Sequence, residues 1–366
     1  ASLTISAYTG ERPGILNDGS SKYTVKIMNS SGITISGLAF HDNMQQYGVG
    51  IYIEGSNGVT VKGNAFYNNQ GFGVATKNVT NVTIDGNDLY GNGNAIEIRY
   101  VGTGVVLSNN QIHDNYRAID SGRGSMGVNF YRTSGSISAI GNRLWNNHSL
   151  GLADPEGSAF EIYAGGDVSM IGNVIWDNET VLETGTESGI ACSNITFMRN
   201  IVFRGSRQQG LILRCASNSL FAQNIFDGLD EYVFYLTHFR GNYGGLIEGL
   251  RIFNNIAVNG RVYSIEGAIP ASVQVDNNLL YNPGSASLHG DSLAYVEGKG
   301  NTIDLSEFQQ WTGYDLNSRS LVPAFINPAV IDYRPLGSSP AIDMGKYLGE
   351  PFLGSAPDAG AYEYAP

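Results

Sequence analysis

Apolar and polar residues alternate over short segments along most of the chain, and Asn and Gly separate these segments. One phrase recurs ten times, as in GITISGLAFHDN, GVTVKGNAFYNN and NVTIDGNDLYGN, with a base spacing of 23 residues and insertions in some repeats. The key Asn of the phrase falls at Asn64, Asn87, Asn110, Asn142, Asn173, Asn200, Asn224, Asn255 and Asn278. Leucine-rich repeats would show a Leu framework, and propeller blades need about 40 residues or more. The pattern therefore predicts an all-β chain folded as a parallel β-helix of about ten coils.

A second alternating segment precedes each phrase, as in GIYIEG, AIEIRY and AFEIYA. Its apolar alternates predict inward-facing pairs such as Ile51 with Ile53 and Ile96 with Ile98, while their neighbours face solvent. Each coil should rise about 4.8 Å above the last. We expect the repeated Asn side chains to stack in one file at a turn, where they satisfy backbone groups that the corner would orphan.

The phrase fades from about residue 283, and the tail contains SSPAIDMG and then PDAGAYEY. We assign residues 1–282 to the coils and 283–366 to the final coil and a capping segment of the same domain. The SPAID segment followed by D-x-GAYEY resembles the tails of many secreted bacterial right-handed β-helix proteins. This resemblance implies a single-stranded right-handed parallel β-helix in an extracellular protein, from a superfamily that mostly acts on polysaccharides.

Charge narrows the choice of partner. The chain has 33 acidic and 21 basic residues and a net charge of -12, so it lacks the excess of Lys and Arg that binding nucleic acid requires. No run of 18 apolar residues predicts a membrane span. Because the chain starts at Ala1 inside the strand-like LTISAY, we expect a leader to have been removed. Oligomeric state is left open.

The two cysteines, Cys192 and Cys215, both have inward parity and lie 23 residues apart, hence in neighbouring coils. A separation near 4.8 Å falls inside the range of about 4.4 to 6.8 Å that a disulfide requires. Two stacked buried thiols are the alternative, and the sequence leaves both open.

Charge concentrates on the outward face of the strands in the second segment. Parity aligns these outward residues coil by coil and predicts an open groove with loop residues along its walls. The groove is floored by Glu97, Arg99, Asn129, Tyr131, Glu161, Tyr163, Glu187 and Arg214, with Asp120, Arg123, Asp154, Glu156 and His238 on its walls. An extended polysaccharide suits such a groove.

Paired carboxylates in a groove are what glycoside hydrolysis needs, one to protonate the leaving oxygen and one to attack or to activate water. Glu161 and Glu187 fall in neighbouring coils, about 5 Å apart as retention requires, whereas Glu97 and Glu161 fall two coils apart, near the inverting range. Glu183 and Glu187 belong to ETGTESG, an irregular strand entrance that we expect to face the groove beside Arg214. Outward Glu and Arg that only pair across strands are the structural alternative.

Two further segments resemble polysaccharide lyases of the chondroitinase B and alginate lyase type. GNAIEIRYVG is similar to their N-G-G-E-x-I-R-I-G motif, and the segment from RNIVFRG to NIFDG is similar to their run ending in L-R-H-G and G-N-x-F-x-G. The resemblance implies that Arg214 matches a catalytic Arg and that Glu187 matches a calcium-ligating Glu. The lysine base of that family is replaced by the segment Ala191, Cys192 and Ser193, and Lys77 is the only lysine expected on the charged face.

Hydrolysis requires no cofactor, and calcium is the one ion that the resemblance suggests. A non-catalytic alternative comes from aromatic residues that recur three positions after the key Asn, at Tyr67, Tyr90, His113, Trp145, Trp176 and Phe203. Such a file suits sugar faces, as in a glycan-binding module or adhesin, or else packs under corner loops. The sequence therefore predicts a secreted polysaccharide-degrading enzyme, with glycoside hydrolase first, polysaccharide lyase second and glycan-binding protein third.

Overall fold

A computed structural model describes most of the chain. The described residues are 2–17, 19–119, 124–149, 157–187, 190–204, 209–237, 247–282 and 292–365. The chain divides into two compact units, the first made of residues 1–169 with 173–183 and the second of 170–172 with 184–366. Strands are numbered β1 to β36 in chain order among the described residues.

In the first unit each full coil carries three short strands, and equivalent strands of successive coils pair in parallel. The first-row strands are β3 (Tyr23–Met28), β6 (Val49–Glu54), β9 (Phe72–Thr80), β12 (Asn94–Thr103), β15 (Val128–Ser134) and β18 (Ser158–Tyr163). The second-row strands are β1 (Leu3–Ser6), β4 (Ser31–Ser36), β7 (Asn57–Lys62), β10 (Thr83–Asp85), β13 (Val105–Ser108) and β16 (Ile137–Ile140). The third-row strands are β2 (Gly14–Leu16), β5 (Ala39–His41), β8 (Ala65–Tyr67), β11 (Asp88–Tyr90), β14 (Gln111–His113), β17 (Arg143–Trp145) and β20 (Val174–Trp176).

Strands β19 (Val168–Ile171) and β21 (Thr180–Gly185) each contribute residues to both units. The second unit repeats the three rows. Its first-row strands are β24 (Gln209–Leu213), β27 (Phe234–Thr237), β30 (Tyr263–Glu266) and β33 (Ala294–Val296). The second-row strands are β22 (Thr196–Met198), β25 (Leu220–Ala222), β28 (Arg251–Phe253) and β31 (Gln274–Asp276), and the third-row strands are β23 (Ile201–Phe203), β26 (Ile225–Asp227), β29 (Ile256–Val258) and β32 (Leu279–Tyr281). The prediction of an all-β chain built as a parallel β-helix is confirmed.

The core lies inside the coils, where the predicted inward parity holds. Ile51, Ile96, Phe160 and Leu211 are fully buried. In parallel strands that wind into coils, each inward side chain stacks on the equivalent side chain of the next coil, as Phe130 does on Phe160 with ring centroids 6.3 Å apart. Burial of these apolar columns holds the coils together, at about 25 cal/mol for each Å² removed from water.

The repeated Asn residues form buried hydrogen-bonded ladders in both units. In the first unit the amide Nδ2 of Asn87 donates to Oδ1 of Asn110 at 3.0 Å and to the carbonyl of Val61 at 2.9 Å. Linked in this way are Asn64, Asn87, Asn110, Asn142 and Asn173. In the second unit the linked residues are Asn200, Asn224, Asn255 and Asn278. Each amide satisfies backbone groups at a corner, as the sequence pattern predicts.

A second buried ladder lies at the next corner of the first unit. Its members end the repeated phrase, and the backbone N–H of each of the first five donates to Oδ1 of the next. From Asn69 to Asn147 the side-chain amide also donates to the next Oδ1, as Asn92 does to Asn115 at 3.1 Å. The ladder consists of Asn43, Asn69, Asn92, Asn115, Asn147 and Asn178. Each of these Asn residues stands at the end of its copy of the phrase, but the sequence pattern alone does not predict a second ladder.

The residue before a ladder Asn adopts a left-handed backbone, which explains the recurring Gly-Asn and Asn-Asn pairs. Gly63 and Gly86 both have φ of 61°, and Asn109 has φ of 53°. Glycine meets this requirement without steric cost, and Asn is among the few other residues that tolerate it. The sequence repeat therefore records a backbone requirement at the corner as well as a side-chain ladder.

At its C-terminal end the second unit carries an antiparallel strand and one helix. Strand β34 (Gly300–Thr302) pairs with β33, and α1 (Leu305–Thr312) begins at the N-cap Asp304. Phe308 of α1 is fully buried and stacks on Tyr263, with ring centroids 4.9 Å apart. Aromatic packing thus covers the core of the last coils.

The remaining tail lies beside earlier coils of the second unit. It contains β35 (Phe325–Asn327), a 3₁₀ turn (Pro328–Val330) and β36 (Asp332–Pro335). The hydroxyl of Tyr333 donates to Asp227 at 2.9 Å, and the amide of Asn254 donates to the carbonyl of Lys346 at 2.8 Å. The assignment of residues 1–282 and 283–366 to coils and cap of one domain stays a prediction, and residues 283–291 lie outside the described part.

Cys192 and Cys215 form a disulfide in the second unit, with Cα atoms 5.2 Å apart. Both cysteines are fully buried. The spacing left open either a disulfide or two stacked thiols, and the structure contains the disulfide.

Candidate functional site

The first-row strands of the first unit carry two columns of outward side chains in strict register. One column contains Lys26, Tyr52, Ala75, Glu97, Asn129 and Glu161, and the other contains Met28, Glu54, Lys77, Arg99, Tyr131 and Tyr163. The coil-by-coil alignment that parity predicts is therefore the alignment observed in this unit. We call this surface the groove face.

Asn129 lies between two carboxylates in the first column. It pairs in register with Glu97 on one side and with Glu161 on the other. Only 7% of Asn129 and 3% of Glu97 is exposed, whereas Glu161 is half-buried. The Oδ1 atom of Asn129 is buried and accepts no hydrogen bond from any described residue. A buried polar atom without a partner is rare in a folded chain and requires an explanation.

Arg99 stands beside this group in the second column. Its Nε lies 3.6 Å from Oε2 of Glu97, and its guanidinium carbon lies 4.8 Å from the ring centroid of Tyr131. Tyr131 stacks in turn on Tyr163, with ring centroids 6.0 Å apart. Within the described residues the Nε of Arg99 makes no hydrogen bond. The guanidinium of Arg99 is thus held over an aromatic ring, in the column beside the two carboxylates.

Lys77 is engaged elsewhere on the groove face. Its Nζ lies 2.8 Å from Oε1 of Glu54. The hydrogen bond to Glu54 raises the pKa of Lys77, and the hydrogen bond to Lys77 lowers the pKa of Glu54. The expectation that Lys77 is the only lysine on this face is wrong, because Lys26 pairs in register with Tyr52. Lys26 lies in β3, the segment just before the first copy of the phrase, which the alignment of the second segments did not include.

The predicted residues near ETGTESG are divided between the two units. Glu183 is half-buried in β21 and belongs to the first unit, while Glu187 and Arg214 belong to the second. Glu187 forms an antiparallel bridge with Ile190, and the described residues 183–187 of this segment contain no helix. The spacing of Glu161 and Glu187 stays a prediction.

Arg214 follows β24, where its backbone N–H donates to Oγ1 of Thr184 at 3.1 Å. Burial raises the pKa of Tyr232 strongly, and the positive charge of Arg214 opposes that shift. Arg214 therefore lies close to a buried tyrosine of the second unit. Of the wall residues, Asp120, Arg123, Asp154, Glu156 and His238 lie outside the described residues.

The aromatic file is present on the third-row strands of the first unit, as a continuous stack. Successive ring centroids lie between 4.1 and 5.3 Å apart, with interplanar angles of 12° or less. The stacked rings are His41, Tyr67, Tyr90, His113, Trp145 and Trp176. Each inner ring covers its faces with its neighbours and turns its edge outward, so this file does not offer the open ring faces on which sugars stack.

No three His, Cys, Asp or Glu side chains converge as a metal site among the residues that the structure describes. Calcium stays a prediction of the lyase resemblance. No helix in the described part of the chain has the length and apolar character that crossing a membrane requires.

Residues 14–175 match the family model described as right handed beta helix region. The fold is a right-handed parallel β-helix. The groove face lies on the first-row strands of this right-handed β-helix. No curated protein matches the sequence.

Solved structures with this architecture include a pectate lyase, Pel9A, with a TM-score of 0.54, 15% identity and coverage of 99% of this chain and 86% of the lyase. PfbA, a surface adhesin of Streptococcus pneumoniae, has a TM-score of 0.44, 14% identity and coverage of 68% of this chain and 63% of the adhesin. The periplasmic alginate epimerase AlgG has a TM-score of 0.39, 16% identity and coverage of 74% of this chain and 53% of the epimerase. At these identities the likeness shows the fold alone.

Proposed function

We propose that this chain degrades a polysaccharide by hydrolysis, with Glu97 and Glu161 as the catalytic carboxylates. One observation carries the proposal: Asn129 is buried between the two carboxylates, and its Oδ1 has no hydrogen-bond partner among the described residues. If the side chains around Oδ1 of Asn129 move aside when substrate binds, a sugar hydroxyl would donate a hydrogen bond to this oxygen.

The spacing of the two carboxylates fits the inverting mechanism. Two strand spacings, about 9 to 10 Å, separate the backbones of Glu97 and Glu161, close to the range of about 6.5 to 9.5 Å for inverting enzymes. The guanidinium of Arg99 lies next to Glu97 and favours its ionised form, which suits the base that activates water. Glu161 is then the acid that protonates the leaving glycosidic oxygen.

Lyase chemistry with Lys77 as the base has less support on this face. Abstraction of the proton next to a uronate carboxylate needs a neutral lysine, and the pairing of Lys77 with Glu54 holds Lys77 in its charged form. A lyase would release an unsaturated uronate, which absorbs ultraviolet light, whereas a hydrolase releases only a new reducing end. Both signals should be followed when a panel of polysaccharides is digested.

The decisive variants are Glu97→Gln and Glu161→Gln, which keep the shape and remove the charge. Each should lower the rate of reducing-end formation by about 10²-fold or more. Glu54→Gln is the matched control, because Glu54 lies on the same face in the neighbouring column and should leave the rate within about twofold of wild type. Full activity in either catalytic variant, or an unsaturated product from the wild type, would overturn the proposal.

Asn129→Ala separates a functional role from a structural one. Removal of a buried amide whose oxygen has no partner among the residues that the structure describes should leave the denaturation midpoint unchanged or raise it, since no hydrogen bond to Oδ1 from these residues is lost. The rate of hydrolysis should nevertheless fall. A loss of stability in proportion to the loss of rate would assign Asn129 to the scaffold.

We also propose an extracellular location. The buried disulfide between Cys192 and Cys215 supports it, because disulfides persist in oxidising compartments. Detection of free thiols at both cysteines in protein from its native compartment would contradict this location.

A further inference from the structure

A cluster of lysines and tyrosines lies at the first coils of the groove face. The Nζ of Lys22 lies 5.7 Å from the ring centroid of Tyr23 and 5.3 Å from that of Tyr47. The Nζ of Lys26 lies 5.1 Å from the same ring of Tyr23, which stacks on Tyr52 with centroids 4.6 Å apart. Two ammonium groups therefore share one tyrosine ring.

The backbone under this cluster is held by the corner of the next coil. The amide Nδ2 of Asn43, a member of the second ladder, donates to the carbonyl of Lys22 at 3.0 Å. The backbone N–H of Val49 donates to the same carbonyl at 2.8 Å, and Tyr23 pairs with Val49 in register. The rings are half-buried, while both lysine side chains are exposed. The cluster thus presents two exposed cations over a half-buried aromatic base.

Glu54 is the described carboxylate whose negative charge interacts with Lys26, but it forms its ion pair with Lys77, so the charges of this cluster are only partly balanced by the protein. On the same face Lys77 pairs with Glu54 and Arg99 pairs with Glu97. No described carboxylate forms an ion pair with Lys22 or Lys26, although the chain as a whole carries a net charge of -12. Like charges over one ring repel each other, and an anion between them relieves that repulsion. An acidic protein that keeps two such cations together offers a local site for an anion.

The geometry points to an anionic sugar unit, carrying a carboxylate or a sulfate, bound at Lys22 and Lys26 over the tyrosine rings. This inference rests on the proposed function, because it makes the substrate an acidic polysaccharide lying along the groove face. Lys26 and Glu97 are three strand spacings apart in one column, about 14 Å, so one extended glycan chain can reach both. The ammonium groups would bind the anionic group of the sugar, and the tyrosine rings beneath them would hold the two cations in place.

The experiment measures binding separately from cleavage. Affinity is determined for the wild type and for Glu161→Gln with polygalacturonate, with the same polymer after its carboxyl groups are reduced to alcohols, and with a sulfated galactan. Lys22→Ala combined with Lys26→Ala should weaken binding to the acidic polymers about 2- to 30-fold, the range for two exposed ion pairs. The loss should disappear at about 1 M salt, where the screening length is about 3 Å. Binding to the reduced polymer should not change.

Two controls make the result specific. Lys62→Ala removes an exposed lysine from second-row strand β7 and should leave affinity unchanged. Lys22→Arg combined with Lys26→Arg keeps both charges and should retain most of the affinity. A loss for polygalacturonate alone identifies the carboxylate, and a loss for the sulfated galactan alone identifies the sulfate.

Equal affinity of wild type for the acidic and the reduced polymer would overturn the inference, and so would an equal loss of both in the double alanine variant. Failure of the proposed function is recognised differently. If Glu161→Gln still cleaves the polymer while the lysine variants lose binding, the carboxylate assignment is wrong and the anionic subsite stands.

Discussion

Replacement of Asn110 by alanine tests whether the buried ladder stabilises the coils through its hydrogen bonds. Asn110 is fully buried, and its Oδ1 accepts the backbone N–H of Asn87 at 2.9 Å. Its Nδ2 donates to the carbonyl of Ile84 at 2.9 Å and to Oδ1 of Asn142 at 2.9 Å. Alanine leaves the N–H of Asn87 and the carbonyl of Ile84 without these partners, in a place that water does not reach.

Each orphaned buried group costs about 1 to 3 kcal/mol, so two such groups should lower the free energy of unfolding by about 2 to 6 kcal/mol. Unfolding in urea followed by circular dichroism measures this change. Gln111→Ala, at the exposed position next in sequence, is the control and should stay within about 0.5 kcal/mol of wild type. Equal midpoints for Asn110→Ala and Gln111→Ala would refute the reasoning and would leave stability to apolar stacking alone.

Three further predictions concern other contacts. Burial lowers the pKa of His113, but its hydrogen bonds to two flanking aspartates outweigh that effect and raise the pKa. The stabilisation from these hydrogen bonds is present below the ordinary pKa of about 6.5 and is lost as pH rises through the raised pKa. His113→Gln should therefore lower the thermal denaturation midpoint more at about pH 5.5 than at about pH 8.5. A loss of stability that does not change with pH would contradict this. Reduction of the bond between Cys192 and Cys215, 23 residues apart, should lower stability by about 3 kcal/mol, and an unchanged denaturation midpoint under reductant would count against it. Phe308→Ala should cost about 3 to 5 kcal/mol through loss of the stack on Tyr263, with Phe308→Leu losing less, and equal midpoints for the two variants would contradict that assignment.

Alternation of apolar and polar residues was enough to predict the groove face. In a strand every second side chain points to the same side, so the buried apolar positions determine which side chains point outward. That is why Glu97, Asn129 and Glu161 line up as the sequence predicts. The same pattern could not predict that Glu97 is 3% exposed or that Oδ1 of Asn129 has no hydrogen-bond partner in the described part of the chain, since both depend on which side chains neighbouring coils bring alongside. Lys26 was missed because its segment, YTVKIM, was not aligned with the later segments that precede the phrase.

The aromatic file shows a second limit of sequence reasoning. Its spacing predicts one ring per coil, and His113 and Trp145 do lie in adjacent strands. Whether such rings offer faces or edges depends on their side-chain torsions, which spacing does not determine. With centroids 4.1 Å apart and planes within 5°, these two rings cover each other. A recurring aromatic in a β-helix is therefore weak evidence for sugar binding.

The two tryptophans at the end of that stack also provide an intrinsic spectroscopic probe of the folded state. The chain has three tryptophans, and two of them, Trp145 and Trp176, are parallel with centroids 4.8 Å apart. Indole transitions at that distance couple, so the pair should produce a split circular dichroism band that exists only while β17 and β20 stay in register. The third, Trp311, sits in α1 of the second unit, and its fluorescence responds to that helix. Two optical signals from native residues can thus follow the opening of the two units independently, without any introduced label.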